Sequence, residues 1–331
     1  MSELLALLGA TQDPFAQATD VLARLCLVEV CPNSARAATE ELGALLRAQA
    51  EEVIAQAEAT HTPPVATTPA PPRLYLSMDG VLAHMHDAGW KELKTGCVYT
   101  TRTHRARTRP DKVALRAEAQ SYVVALADAS TFGWQLWAEA CRRGMTSSSE
   151  LVVLGDGAHW IWNLAPEHFP TATQILDWYH ASAYSWNAAT AIYGEGSALR
   201  TPWAQQQRDA LWEGQVAQVL RVLESYGGKG EAVRDAISYY TTHQARMDYP
   251  SYRARGLQIG SGTIESSCKQ LVSARLKLAG MIWDTDGAEA VAVVRAWLKS
   301  NRWDDAMRLR PPPRRTYRRQ PASLRASAIA A

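Results

Sequence analysis

Three carboxylates stand where the chain changes from one element to the next: Asp79 in LYLSMDG, Asp156 in ELVVLGDG and Glu265 in GSGTIES. Hard divalent cations such as Mg²⁺ take oxygen ligands and keep several waters. One or two carboxylates per ion therefore suffice where substrate phosphates complete the shell. Three carboxylates within reach of one another fit two ions about 3.5 to 4 Å apart, one activating a water or 3′-hydroxyl while the other stabilises the leaving oxygen of an in-line displacement. Each residue taken singly has an ordinary alternative. Asp-Gly after a strand is a favoured turn, and Glu in a first helical turn complements the helix dipole. The three in order, each on a suitable element, point to phosphodiester chemistry. Asp177 and His180, in DWYH, form a secondary pair. His180 reads either as a phosphate contact or carboxylate-orienting group, or as a histidine capping or packing at a strand end.

The elements that must position these groups follow from the period of the apolar residues. LYLSMDG (74–80) is a short apolar run closed by Asp-Gly, predicting a strand that ends at Asp79. LKTGCVYTT (93–101) and SYVVALAD (121–128) carry β-branched and aromatic residues at strand length, with a basic loop between them. STFGWQLWAEACRRG (130–144) spaces Trp134, Trp137 and Cys141 on one helical face. Leu151 to Leu154 form a continuous apolar run suited to a strand buried on both faces, with Asp156 just past its end. After a short helix near Trp160 to Leu164, TQILDWY (173–179) supplies a fifth strand. A helical stretch from Ala181 to about Tyr249 follows, its clearest apolar stripe at 211–226, and then two late helices, the first capped by Ser261 or Thr263 and bearing Glu265. This order describes a mixed α/β layer and resembles a ribonuclease H-like fold with a helical insertion.

The resulting organisation is a helical N-terminal region (1–60) with two helices after Asp13, a proline-rich extended linker (61–73), a first core part (74–180), a helical insertion (181–256), the last core helices (257–303) and a basic tail without packed structure (304–331). The 331 residues, 47% apolar and 21% charged, suffice for a sizeable core. A net charge of +2 is too small to imply nucleic acid by itself, so any DNA footprint must be regional. Five cysteines without a C-x-x-C pair suggest neither a disulfide framework nor a zinc cluster, and a reducing cytoplasm is expected. The first residues lack a basic n-region, and no apolar run reaches the ~18 residues a membrane span needs.

The segments SMDG, LGDGAHWIW, DWYH, IGSGTIESSCKQLVSARLKLAGMIW and GAEAVAVVRAWLKSNRW resemble the ISKra-type insertion-sequence transposases, which are similar to Mutator-like DDE transposases. The likeness runs from about Leu74 to Trp303. It implies a ribonuclease H-like fold, a catalytic and metal-binding triad of Asp79, Asp156 and Glu265, and two Mg²⁺ ions for which Mn²⁺ can substitute. It also implies a helical insertion between Asp156 and Glu265, and places Asp177 and His180 on a D-x-x-H element. Duplex DNA, as element ends and target, is the implied partner, with at least a homodimer needed to bring two ends together. The residues before Leu74 hold no convincing helix-turn-helix or zinc motif, so recognition of element ends is expected to be weakened, truncated away or supplied by a partner subunit.

Basic residues offer further DNA contacts. Arg105 and Arg107 lie in RTHRARTRPDK, between the second and third strands, which reads equally as a solvated hairpin tip. Arg314, Arg315, Arg318 and Arg319 lie in the tail, as a backbone-gripping arm or a solubilising one. Lys269 and Arg275 follow Glu265 on its helix, beside the carboxylates. Trp160, Trp162, Trp178 and Trp186 are read as core before base-stacking. Two other functions use the same residues: a catalytically inactive or domesticated relative that only binds DNA, and a phosphatase with Asp79 as nucleophile. Val81 weakens the second, since it stands where a D-x-D motif needs its second Asp.

Overall fold

The computed structural model describes residues 1–106, 109–148 and 150–311. Three helices come first: α1 (Ser2–Thr11), α2 (Phe15–Cys26) and α3 (Pro32–Thr60). The sheet is built from β1 (Arg73–Met85), β2 (Gly89–Ala106), β3 (Arg109–Ala125), β4 (Glu150–Gly155) and β5 (Thr173–Leu176). Its order is β3-β2-β1-β4-β5. The first three strands are antiparallel, while β4 and β5 run parallel to β1 and to each other. Parallel neighbours need a crossover. α4 (Ala129–Arg142) supplies it before β4, and α5 (His159–His168) before β5. Helices α6 (Trp178–Tyr193), α7 (Arg200–Trp212), α8 (Val216–Glu224), α9 (Glu231–His243) and α10 (Tyr249–Ala254) follow without a strand. The chain returns through α11 (Gly262–Cys268), a π-helical turn at Lys269–Ser273, α12 (Ala274–Leu276), α13 (Thr285–Lys299) and α14 (Trp303–Leu309). Among the described residues no helix is long and apolar enough to cross a membrane.

The central strands read as apolar runs because both faces are covered: Leu74 to Met78 and Val152 to Leu154 are fully buried. α4 covers one face, started by Asp128, whose carboxylate accepts from Thr131 N at 2.8 Å. It approaches closely at Gly96, where a Cβ would fall 2.7 Å from Leu136. α11 lies against β1 and β2 on the other face.

Four features differ from the sequence expectations. β1 does not end at Asp79. It continues to Met85 because β2 pairs with it from Tyr75 to Met85, Asp79 opposite Thr95 and Gly80 opposite Lys94, so the Asp-Gly pair sits inside a ladder instead of a turn. The extended 61–73 segment does not set the N-terminal helices apart, because Leu42 and Leu46 of α3 share a core with Val293 and Val294 of α13. The apolar stripe at 211–226 breaks at Gly214, whose φ of +75° ends α7 and lets α8 start afresh. The first residues assigned to an unpacked tail form α14, held by the fully buried Ala306.

Candidate active site

Asp79 faces the side of the sheet that α11 covers, level with Thr95 across the ladder. Its Oδ1 accepts from Gly80 N at 2.7 Å, and Cys268 Sγ, at the end of α11, donates to Oδ2 at 3.6 Å. The α11 contact is lined by small polar groups. Ser77 Oγ and Tyr99 Oη are 3.2 Å apart, and Thr95, Thr263 and Ser267 are buried beside them. Burial pushes the Asp79 carboxyl above its usual range; the Gly80 amide lowers it, the Asp156 charge raises it further, and Cys268 and His180 oppose the rise.

Asp156 lies just past the end of β4. The last parallel pair is Ser77 opposite Leu154; Asp79 and Asp156 each follow it by two residues, and the Asp156 charge reaches the Asp79 carboxyl. Strand order therefore brings this pair together. Asp156 Oδ1 accepts from Ala158 N at 3.0 Å, closing a tight turn. That turn is roofed by the insertion: Tyr239 of α9 donates its hydroxyl to the Asp156 carbonyl and stacks on Tyr184 of α6 with ring centroids 3.9 Å apart. Gly157, at φ +122°, fits only without a side chain, since a Cβ would lie 2.5 Å from the Tyr239 ring.

Asp177 joins the pieces. It is completely buried and caps α6. Its Oδ1 accepts from His180 N at 2.6 Å and lies 3.0 Å from His180 Nδ1, while Oδ2 accepts from the amide of Ser261, the residue that starts α11. Its own amide donates to Gly155 O at 2.7 Å, and Trp178 N donates to Ile259 O at 2.9 Å. One residue thus ties the end of β4, the start of α6 and the start of α11. Burial alone would raise the Asp177 carboxyl, but the hydrogen bonds from His180 and the His180 and Ser261 amides outweigh it and hold it below its usual range. His180 is raised, first by the hydrogen bond to Asp177, against burial, and then by the charges of Asp177, Asp156 and Glu265. With Nδ1 engaged, Nε2 is the nitrogen left for other contacts, on a side chain 43% exposed.

Glu265 is exposed in the first turn of α11, one turn before Cys268, and its Oε1 accepts from Ser261 Oγ at 3.2 Å. Neither residue expected to cap α11 does so; the Ser261 hydroxyl serves Glu265 instead. Asp79, Asp156, Glu265 and the Asp177–His180 pair therefore form one neighbourhood. Among the described residues no three His, Cys, Asp or Glu side chains are already arranged to hold a metal ion.

The basic residues divide. Lys269 and Arg105 are exposed. Arg275 is not beside the carboxylates in any usable sense: it is fully buried, its Nε and Nη2 donate to Gly9 O at 3.2 and 3.1 Å, its Nε pairs with Asp13 at 2.7 Å, and its guanidinium stacks on Phe15 and Trp283. A π turn at Lys269–Ser273 lies between it and Glu265. Arg107, Arg314, Arg315, Arg318 and Arg319 lie outside the described residues. Trp162 and Trp178 are buried, and Trp160 and Trp186 pack against the same core. Cys268, Thr95 and Tyr239 belong to the site yet carry no signal in the sequence, since each is placed there by packing between distant elements. No protein-family model and no curated protein matches this chain.

Proposed function

We propose that this chain is the catalytic core of a DDE-type transposase with a ribonuclease H-like fold, cutting and rejoining DNA phosphodiesters with Asp79, Asp156 and Glu265. The observation that carries the reading is that Asp79, in β1, and Asp156, just past the end of the adjacent parallel β4, each lie two residues beyond the last pair Ser77–Leu154, with the helix bearing Glu265 laid against Asp79 through Cys268. The strand order β3-β2-β1-β4-β5, antiparallel then parallel, supports the fold assignment. The donor set is all carboxylate oxygen, which suits Mg²⁺ or Mn²⁺. The raised Asp79 carboxyl, destabilised by burial and by Asp156, is the group a bound cation would relieve. Asp79, Asp156 and Glu265 would hold the metal, with substrate phosphates completing the shell. When bound, the metal neutralises phosphate charge and lowers the pKa of an attacking water or 3′-hydroxyl. Asp177 fixes the His180 ring and favours its protonated form, so that Nε2 can donate to a phosphate oxygen. Lys269, one turn past Glu265, is an exposed cation available for a further phosphate contact. The partner is duplex DNA, in a bacterial cytoplasm, with two copies needed to pair two ends.

A second reading, a transposase-derived protein that binds DNA without cutting it, is favoured by one observation. The carboxylates are not closed into a metal cage among the described residues. The deciding experiment incubates the purified chain with Mg²⁺ or Mn²⁺ and duplex DNA carrying the ends of its own element. Nicked or joined products that vanish in Asp156→Asn, with binding retained, are expected. Tight binding without products in either protein would leave the second reading in place.

A further inference from the structure

β2 and β3 are far longer than the sheet that holds them. β1 pairs with β2 only from Tyr75 opposite Tyr99 downward, whereas β2 and β3 stay paired outward, from Thr100 opposite Glu118 to Arg105 opposite Val113. The inner part of β3 is covered, with Tyr122 N donating to Ser300 Oγ and Leu126 N to Glu289 Oε1. Beyond a bulge at Ala119, φ +46°, Ala117 still packs against the core, while Arg102, Thr103, His104, Arg105, Ala114 and Arg116 are exposed. A two-stranded ribbon without a third strand is marginal by itself. This one also sets Arg102 directly opposite Arg116, a like-charge pair that opposes folding. Arg102 pairs with Glu118 at 2.6 Å, but among the described residues Arg105 and Arg116 have no acidic partner.

We propose that this ribbon, residues 100–105 and 114–118, is a docking arm for the phosphate backbone of duplex DNA, using Arg102, His104, Arg105 and Arg116. A polyanion turns the Arg102–Arg116 repulsion into shared attraction, and the major groove of B-DNA admits a two-stranded ribbon. The arm leaves the sheet at the N-terminal end of β1, while Asp156 lies at the C-terminal end of β4, parallel to it. From Thr95, level with Asp79, to Arg105 is ten residues, about 34 Å at strand rise. That is about one turn of duplex, so DNA lying along the strands meets the arm roughly a helical turn from the cut phosphodiester. The identity of the polyanion as DNA rests on the function proposed above; the place of contact rests on the ribbon alone.

The test uses the full chain in EDTA and a fluorescein-labelled 40-base-pair duplex of arbitrary sequence, with affinity measured by anisotropy across a salt series for wild type, the triple variant Arg102→Gln, Arg105→Gln, Arg116→Gln, and the matching triple lysine variant. Three lost phosphate contacts should lower the slope of log affinity against log salt by about 2.7. The lysine variant should keep the wild-type slope, which separates lost charge from lost folding. Equal slopes for wild type and the glutamine variant, or no salt-dependent affinity in wild type, would overturn the proposal, as would a glutamine variant altered only in its sedimenting oligomer. A parallel incubation of the same proteins with Mg²⁺ and duplex carrying the element's ends, scored for cutting, separates the two ideas. Ribbon-dependent binding with no cutting by wild type sinks the transposase reading alone, and cutting with ribbon-independent binding sinks the arm alone.

Discussion

Replacing Asp177 by asparagine keeps the side chain's shape and removes its charge. The carboxylate is fully buried and accepts at both oxygens, from His180 N and Nδ1 on one side and Ser261 N on the other. Asparagine has one oxygen, so its NH₂ must face either the Ser261 amide or the His180 donors, leaving a buried donor without a partner. That costs about 1 to 3 kcal/mol, and the remaining bonds lose the charge assistance that makes such bonds worth about 1.5 to 3 kcal/mol. A net loss of about 3 kcal/mol is expected. At about 2.1 cal/mol/K per residue, 331 residues give an unfolding entropy of about 0.7 kcal/mol/K, so Tm should fall by about 4 °C. The pH dependence should change as well. His180 is raised above its ordinary 6.5, so the stability it contributes is fully present below pH 6.5 and is lost as pH rises through the folded value. Asp177 is lowered from 3.8, so its contribution is present above pH 3.8 and is lost as pH falls through the folded value. Urea unfolding of metal-free protein from pH 6 to 9 should show the first decline in wild type and a flatter curve in the variant. A loss below about 1 kcal/mol, or identical pH curves, would refute the claim that Asp177 is the charged joint between α6 and α11.

Asp79→Asn should stabilise the metal-free protein at neutral pH, because a carboxyl raised from 3.8 loses stability as pH climbs through its folded value; Mg²⁺ should then raise the Tm of wild type but not of the variant. Equal response to Mg²⁺ would remove Asp79 from the metal site. Arg275→Met should cost about 3 to 5 kcal/mol in urea unfolding by stranding Asp13 and the Gly9 carbonyl, yet leave the salt slope of DNA binding unchanged. A reduced slope would return Arg275 to the DNA surface. Gly144→Ala should cost about 1 to 3 kcal/mol, since φ is +85° and its Cβ would sit 2.7 Å from the Ala70 Cα, where the 61–73 segment lies on α4. An unchanged urea midpoint would show that this contact yields freely.

Much of the layout was legible in one dimension because periodicity is a local property. The runs at Leu74–Met78, Leu151–Leu154 and Thr173–Leu176 announce strands, and the unbroken helical stretch before Glu265 announces α6 to α10. The positions of Asp156 past β4 and Glu265 in a first helical turn were legible for the same reason. Where expectation and structure part, the deciding force came from another element. Asp79 looked like the end of a strand because Asp-Gly usually turns, but β2 pairs straight through it. Arg275 looked like a surface cation on the Glu265 helix, but Asp13, Phe15 and Trp283 close around it.

The chain by itself determined the inventory: which carboxylates follow strands, where helices run, and which regions are basic. Only the tertiary structure decided the neighbours. Strand order put Asp79 and Asp156 at neighbouring strands, the buried Asp177 pinned α11 to β4, and β1, beginning at Arg73, left the outer β2–β3 ribbon without a third strand. Pairing across an 83-residue gap, from Asp156 to Tyr239, depends on surfaces that burial and hydrogen bonding match in space, and no local pattern of residue types encodes it.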